Sequence, residues 1–467
     1  MTADKKLEPS AVETPHNGRA IDAAWWRRVE HYVKRKQLWN RLYRATSYLK
    51  SALWIVPFVA IILVLAIAPA LRGIDHWLGW RISGLDVAGA QALFQTVIAL
   101  TTSFVVFTFG SLLVAIQVAG AQLTPRIIAT TLLRDNVVRY SVGLFMFSLV
   151  FAVASLNRLE GNVPDIVVLL TALLGIACMA TFLFLIDYAA RLLRPVSIVA
   201  RVADEGLTVI ESVYPERVGD TADVAIESPP PLGAPRRIVH HAGRSEIVLA
   251  VDLGTLVAEA RQAGGVIEFI PQVGDFVANE EPLFALYGVA AAIDDGKLRA
   301  TVAFGPERTM EQDPMFAFRI LVDIALKALS PAINDPTTAV LSIDQVHRLL
   351  RAVGKRRLHA VEIGDATARR RVIFRTADWE DYVHVSFTEI RACGAGNVQI
   401  SRRLRAMIDN LVASLPKHRH AVLEDERRRL DRMVDALYAL PEDRALARIP
   451  DSQGLGGSSG ARTLPPS

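Results

Sequence analysis

The chain is poor in cysteine and in charge. Its 467 residues include two cysteines, Cys178 in an apolar run and Cys393 in the more polar half. Two cysteines are too few for a disulfide framework or a structural zinc site, so we interpret both as small buried apolar residues. Charged residues make up 21% of the chain and hydrophobic residues 51%. Little charge and high hydrophobicity together predict a membrane-embedded portion.

Catalytic sequence motifs are also missing. The sequence has no nucleophile elbow, no phosphate-binding Walker loop, no dinucleotide fingerprint and no H-x-x-x-H pair. The histidine pairs at 240–241 and at 418 and 420 have no neighbouring cysteines or spaced carboxylates, so we interpret them as surface residues. We therefore expect no enzymatic activity, no cofactor and no metal site.

Basic residues are concentrated ahead of the first apolar run. Residues 1–20 are polar, and we expect them to be disordered. Residues 21–50 combine Lys and Arg with aromatic residues such as Trp25, Trp26 and Trp39, which predicts a helix at the bilayer surface that contacts anionic lipid headgroups. The alternative is a plain cytoplasmic helix. Nucleic acid is not an expected partner, because this basic segment is not part of a folded domain.

Four long apolar runs come next, at residues 51–71, 88–117, 138–156 and 166–186. Each run is long enough to cross a hydrocarbon core of about 30 Å, so residues 51–195 predict a four-helix transmembrane domain in the lipid bilayer. Arg and Lys lie before the first run, between the second and third, and after the fourth. This distribution predicts a multi-pass protein of the bacterial inner membrane with both termini in the cytoplasm.

The second run is unusual, because it contains no charged residue from Val87 to Pro125. A helical projection gathers seven residues on one side, polar towards the ends and apolar in the middle: Gln91, Gln95, Thr102, Val106, Phe109, Leu113 and Gln117. In a homo-oligomer this side would line a path with an apolar constriction, which can gate by dewetting. The alternative is that its polar residues mediate helix packing. No run carries an acidic residue or histidine near its middle, which disfavours proton-coupled transport.

The composition changes after the fourth run. Residues 196–244 predict a helix and a Pro-rich linker. Residues 245–300 predict a small β-rich module with one helix at residues 253–263 and a turn at Gly274-Asp275. Its last part resembles half of a barrel-sandwich hybrid, but residues 266–286 contain no lysine that could carry a swinging arm. Residues 301–440 predict a helical cytoplasmic domain with a strand at residues 371–375, after which Asp378 begins a helix. We expect residues 441–467 to be a disordered tail.

The most specific stretch is Ser330-Pro-Ala-Ile-Asn-Asp335-Pro, which joins two helical patterns. Asp335 before Pro336 and Asp313 before Pro314 both predict helix starts. Eight polar residues around them are candidates for a ligand site: Arg308, Gln312, Asp313, Asp323, Ser330, Asn334, Asp335 and Thr337. The two helix N-termini could hold an anion with help from Arg308, or the two aspartates could simply cap them. We expect Asp323 to pair with Lys327 or Arg308.

This stretch also carries a resemblance to a known family. Glu307-Arg308-Thr309 with Gln312-Asp313-Pro314, then Leu321-Val-Asp-Ile-Ala325 and the Ser-Pro-Ala-Ile-Asn-Asp-Pro run, resemble the DUF2254 family of predicted bacterial membrane proteins. The resemblance extends from about residue 50 to residue 415. Because the activity of that family is undefined, the resemblance implies an architecture and no chemistry.

The sequence thus predicts an α-helical polytopic membrane domain with four transmembrane helices and a mixed α+β cytoplasmic domain. Our leading hypothesis is a homo-oligomeric ion channel or passive permeation pathway, with the second span near the central axis and the cytoplasmic domain as gate or assembly module. The competing hypothesis is a membrane-anchored interaction or sensory protein whose spans only anchor it. The two hypotheses differ in whether the second span touches water and symmetry mates, or lipid and other spans.

Overall fold

The structure is a computed structural model that describes residues 55–78, 85–122, 135–157, 159, 165–192, 194–218, 232–358, 361–364 and 369–456. The segments predicted for residues 1–20 and 21–50 lie outside the described residues, as does most of the Pro-rich linker. The described chain forms two compact units. We call them the helical unit and the strand unit.

The helical unit begins with five helices: α1 (Ile55–Leu78), α2 (Val87–Gln122), α3 (Asn136–Leu156), α4 (Asp165–Leu192) and α5 (Pro195–Val213). Three apolar segments are long enough to cross a membrane: Val87–Gln117, Asn136–Leu156 and Asp165–Arg191. The apolar part of α1, Ile55–Leu71, is shorter and reaches the edge of the described residues. Three predicted spans therefore correspond to sufficiently long helices, and the first span stays a prediction.

The apolar helices pack around α3, which contacts α1, α2 and α4. Gly143 allows α1 to approach α3 closely, because a Cβ at this position would lie 2.5 Å from Cγ1 of Val56. Phe104 of α2 stacks on Phe182 of α4, with 4.2 Å between the ring centroids. Small residues and stacked rings of this kind are usual where membrane helices pack together. As predicted, Cys178 is buried.

The strand unit contains the following elements: β1 (Arg237–His240), β2 (Glu246–Val251), α6 (Leu253–Ala263), β3 (Val266–Phe269), β4 (Phe276–Val277), β5 (Pro282–Tyr287), α7 (Asp295–Arg299), β6 (Val302–Gly305), β7 (Val361–Gly364) and β8 (Arg370–Phe374). A five-stranded sheet has the order β1-β5-β3-β8-β7, and a three-stranded sheet has the order β4-β2-β6. Strands β3 and β8 are parallel, and the other neighbours are antiparallel.

The strand unit corrects two predictions. It is larger than the module predicted at residues 245–300, because β7 and β8 come from residues assigned to the helical domain, although β8 matches the strand predicted at residues 371–375. In the parallel pair, Ile267 lies opposite Val372, and both are fully buried. The turn at Gly274 is present with φ of 95°, but β3 and β4 on either side of it belong to different sheets. Their pairing therefore differs from the expected half of a barrel-sandwich hybrid.

The later helices of the helical unit share one core with α5: α8 (Pro314–Leu329), α9 (Pro336–Val353), α10 (Trp379–Gly394), α11 (Val398–Ser414), α12 (His420–Leu437) and α13 (Pro441–Ala447). Helix α8 lies at the centre, since it packs against α5, α9 and α10. Gly206 allows α5 to approach α8 closely, because a Cβ there would lie 2.7 Å from Cβ of Ala317. Cys393, predicted to be buried, is exposed, because it lies on the solvent side of the last turn of α10.

The chain remains structured beyond the predicted boundary at residue 441. Helix α13 and the turns that follow it are held by buried polar groups. Asp451, which is 1% exposed, accepts backbone hydrogen bonds from three residues: Gln453, Gly454 and Gly456. Nε of Arg402 also donates a 3.0 Å hydrogen bond to the carbonyl of Ile449. The prediction of disorder was therefore wrong for residues 441–456, because composition does not reveal these contacts. Residues 457–467 lie outside the described residues.

Candidate functional site

Helix α2 has one packed side and one side that is free of the other apolar helices. Its packed side is a regular row of buried residues that face α3 and α4: Ala90, Phe94, Val97, Thr101, Phe104, Thr108 and Ala115. The hydroxyl of Thr101 donates a 2.6 Å hydrogen bond to the carbonyl of Val97. The hydroxyl of Thr108 donates to the carbonyl of Phe104 in the same way. The buried polar groups of α2 are thus satisfied within the helix.

The seven candidate pore-lining residues lie on the other side of α2. All are exposed in the single chain: Gln91, Gln95, Thr102, Val106, Phe109, Leu113 and Gln117. We call this set the outward face of α2. Because these residues point away from α3 and α4, they are not packing residues between the apolar helices of one chain. Within the described residues, the packing interpretation therefore finds no helix of the same chain against this face.

The outward face is polar at both ends and apolar between them. Gln91 and Gln117 lie about 39 Å apart along the helix axis at 1.5 Å per residue, which exceeds a hydrocarbon core of about 30 Å. Gln95 and Thr102 lie further inside. Apolar residues fill the next stretch, with Val106 67% exposed and Leu113 62% exposed. The face thus presents polar ends and an apolar middle, as its sequence predicts.

In the signature region, Asp313 is occupied by its own helix. It is 3% exposed, and Oδ1 accepts a 3.2 Å hydrogen bond from the backbone N–H of Phe316 in the first turn of α8. Oδ2 pairs with Nε of Arg308, whose guanidinium also lies 5.7 Å from the ring centroid of Phe316. Burial raises the pKa of Asp313, and the neighbouring Arg308 opposes that rise. The carboxylate therefore fills the helix N-terminus that an anion would need.

Asp335 caps α9 in the same manner. Its carboxylate accepts hydrogen bonds from the backbone N–H and the hydroxyl of Thr338. Asn334 just before it adopts a left-handed conformation with φ of 47°, and its N–H donates a 2.8 Å hydrogen bond to the carbonyl of Ser330. The Ser-Pro-Ala-Ile-Asn-Asp-Pro run is thus a tight turn between two capped helices. Asn334 and Thr337 are exposed on it.

The structure does not bring the signature residues together at one point. Asp313 and Asp335 lie at opposite ends of α8, whose 16 residues span about 24 Å. Gln312 is half-buried near the first end, and Ser330 is half-buried near the second. This separation and the two occupied N-termini support the capping interpretation over a shared anion site.

Asp323 forms an ion pair with Arg319, a residue that was not expected as its partner. Nε of Arg319 donates a 2.7 Å hydrogen bond to Asp323, and the same guanidinium also pairs with Glu389 on α10. Arg319 lies one helical turn before Asp323 on the same side of α8, so its forked side chain can bridge two helices. Lys327 is exposed. Arg319 is thus a partner of Asp323 that the sequence prediction did not include.

A buried ion pair that sequence reasoning missed lies at one end of the apolar helices. Asp135 precedes α3 and is 3% exposed. Its Oδ1 accepts hydrogen bonds from the backbone N–H groups of Val137 and Val138. Its Oδ2 accepts one from the Tyr188 hydroxyl of α4 at 2.6 Å and one from Nη1 of Arg201 of α5 at 3.0 Å. The Asp-Asn start of α3 signals the cap, but no local pattern reveals the distant partners.

The described residues contain no group of three or more His, Cys, Asp or Glu side chains that could hold a metal ion. One histidine prediction was wrong. His241 is 6% exposed, its ring centroid lies 4.3 Å from that of Phe304, and its Nε2 lies 2.8 Å from the carbonyl of Arg244. It is a packed residue of the strand unit, whereas His240 and His418 are exposed as expected.

Long apolar helices packed around α3 and joined to a helical core define a helical membrane protein. The chain belongs to the family described as "Predicted membrane protein (DUF2254)", whose sequence profile matches residues 50–410. Uncharacterized proteins of Mycobacterium bovis and Mycobacterium tuberculosis are each 25% identical to it over 374 residues, which cover 76% of this chain and 71% of theirs. No solved structure gives a significant match.

Proposed function

We propose that this protein is a homo-oligomeric ion channel of a bacterial inner membrane, with a passive pathway lined by the outward face of α2. The exposure of that face in the single chain is the observation that carries the proposal. Hydrocarbon offers no hydrogen-bond partner to the side-chain amide of Gln95, which lies inward of Gln91 along the face. Symmetry mates and water around a central axis would provide the hydrogen-bond partners that the other apolar helices of the same chain do not.

The apolar middle of the outward face supplies the gate in this proposal. Val106, Phe109 and Leu113 follow one another along the face between the polar ends. A ring of such side chains around a narrow axis expels water and blocks ions until the ring widens. Because α2 carries no acidic or basic side chain from Val87 to Gln122, the pathway has no proton-relay group of its own. Passive flow fits this helix better than coupled transport.

We assign helices α5 and α8–α13 of the helical unit and both termini to the cytoplasm. Two helix ends meet at Asp135 and Tyr188, so the start of α3 and the end of α4 share one side of the membrane. Arg139, Arg191 and Arg194 lie at those ends, which supports a cytoplasmic location by the positive-inside rule. The basic segment at residues 21–50 would then bind anionic lipid headgroups on the same side.

A membrane-anchored interaction or sensory protein is the second candidate function. It is favoured by large apolar side chains that are exposed near the end of the helical unit: Leu437, Leu440, Ile449 and Leu455. A protein partner that covered them would bury apolar surface, which is favourable. Neither candidate function assigns to this chain a catalytic step, a cofactor or a nucleic-acid partner.

The test is ion flux through liposomes that contain the purified full-length protein. Three proteins are compared: wild type, Phe109→Ala on the outward face, and Phe184→Ala as the matched control. Phe184 is an exposed phenylalanine of α4, 50% exposed compared with 41% for Phe109. We expect Phe109→Ala to raise flux several-fold, because truncation widens the apolar constriction, and Phe184→Ala to behave as wild type. Equal flux in all three proteins and in empty vesicles would refute the pathway.

A further inference from the structure

The start of α3, the end of α4 and the second turn of α5 meet at a single buried carboxylate. The hydrogen-bond donors to Asp135 are divided between its two carboxylate oxygens. Oδ1 holds the first turn of α3, and Oδ2 holds Tyr188 and Arg201. A carboxylate with 3% exposure that accepts four hydrogen bonds has little freedom to change partners.

Arg201 connects this carboxylate to the core of the helical unit. It lies on α5, whose buried residues belong to the same core as α8 and α9: Ile198, Val199, Val202, Ala203, Val209 and Ile210. Five residues after Arg201, Gly206 lies against α8 and α9, where a Cβ would meet Cβ of Ala317 at 2.7 Å and Cδ1 of Leu349 at 3.3 Å. A shift of α8 or α9 therefore displaces α5 and, with it, the guanidinium of Arg201.

We propose that Asp135, Tyr188 and Arg201 form a joint that transmits displacement of α5 to the start of α3. Helix α5 is already tied to α4 through the chain, because only two residues separate α4 from Pro195. It has no such short covalent tie to α3, and in the described part of the chain Arg201 joins it to the Asp135 carboxylate at the start of α3. Since α3 packs against both α1 and α2, a displacement that reaches α3 through the joint also reaches the apolar helices packed on it.

The physical basis of the joint is the cost of separating its members. Arg201 is partly exposed whereas Asp135 is buried, so separation leaves a buried carboxylate without its cation, which is unfavourable. The carboxylate also supplies the cap of α3, and loss of a cap frays the first helical turn. A displaced α5 must therefore either carry Asp135 with it or loosen α3. This inference goes beyond the proposed channel and holds equally for a sensory protein.

The test is hydrogen–deuterium exchange of the full-length protein in lipid nanodiscs, read at the first two turns of α3. Gly206→Ala is used to displace α5. Gly305→Ala is the matched control, since its Cβ would meet Cδ1 of Leu249 at 2.7 Å within the three-stranded sheet of the strand unit. We expect Gly206→Ala to speed exchange at the start of α3 about fivefold and Gly305→Ala to leave that exchange unchanged.

The same measurement in joint variants separates transmission from general loosening. Arg201→Met removes the ion pair, and Asp135→Asn weakens it while keeping a good capping residue. In either background we expect Gly206→Ala to add nothing further to exchange at the start of α3. Protection of α9 and α11 from exchange shows whether each variant is folded. If Arg201→Met is not folded, Asp135→Asn is used in its place.

Two results would overturn the joint. The first is an unchanged start of α3 in Gly206→Ala. The second is an effect of Gly206→Ala on α3 that is equally large with and without Arg201, since displacement would then travel by another route. The proposed channel is tested separately by ion flux, so failure of the joint leaves that result unaffected.

Discussion

Nη2 of Arg403 on α11 lies 3.1 Å from Nδ1 of His347 on α9. An arginine can only donate here, so Nδ1 must accept and the ring must be neutral, with its proton on Nε2. Nε2 then donates to Oδ1 of Asn410 at 2.9 Å. Burial and, to a smaller extent, the charges of Arg403 and Arg351 together lower the pKa of His347 to about 4, against the opposing effect of the hydrogen bond to Asn410.

This contact predicts an acid-sensitive helical unit. Above pH 6.5, His347 is neutral in both the folded and the unfolded chain and contributes no pH dependence. As the pH falls from 6.5 towards 4, the unfolded chain binds a proton that the folded chain does not, so stability falls. On acidification we expect the unfolding free energy of His347→Gln to fall by about 1–3 kcal/mol less than that of wild type. Thermal unfolding in detergent at pH 7.5 and pH 4.5 measures the difference, and parallel pH profiles for the two proteins would contradict it.

The cap of α8 predicts that removing the Asp313 carboxylate lowers the stability of the protein and leaves its membrane insertion unchanged. Asp313→Ala removes the hydrogen bond to Phe316 N–H and leaves Arg308 without its carboxylate partner. We expect a loss of about 1–3 kcal/mol in unfolding free energy. Asp335→Ala is the control at the cap of α9, where the side chain is less buried, and it should cost about 1 kcal/mol. Denaturant unfolding followed by tryptophan fluorescence compares them, and an equal or smaller loss for Asp313→Ala would argue against a special role for the buried cap.

The carboxylate of Asp451 is predicted to stabilise the turns that follow α13. Asp451→Ala removes the acceptor of three backbone N–H groups and frees residues 448–456 from Arg402. We expect about 1–3 kcal/mol of destabilisation and faster proteolysis near Ile449. Glu442→Ala, an exposed acidic residue of α13, is the matched control and should behave as wild type. If Asp451→Ala matched the control in both assays, this network would have no part in holding the C-terminal turns.

Local signals in the sequence predict much of the fold. Leu253–Ala263 forms the predicted helix, with Asp252 at its start and Gly264 at its end. Asp378 begins α10 through a capping box with Asp381. The starts of α8 and α9 follow the Asp-Pro pairs. Caps and helix periodicity act over a few residues, so a single sequence displays them.

Contacts between distant residues could not be predicted in this way. The parallel pairing of β3 with β8 joins segments on either side of α8 and α9. Because parallel strands are not connected by a tight turn, the sequence carries no local signal for this pairing. The partners of Asp135 on α4 and α5 are also distant in the chain. The outward face of α2 is an intermediate case. Its residues follow from helical periodicity, but their exposure depends on which side α3 and α4 cover.

Water access to Thr102 tests the central claim most directly. Thr102→Cys is placed in a Cys393→Ser background, where the remaining Cys178 is buried. Ile176→Cys, on an exposed position of α4, is the control that faces lipid in this account. A charged, membrane-impermeant methanethiosulfonate is added to both sides of proteoliposomes, and thiol modification is measured by mass spectrometry. Only a thiol in contact with water forms the reactive thiolate. We predict rapid modification of Thr102→Cys and none of Ile176→Cys, whereas equal resistance of the two thiols would contradict a water-filled path along α2.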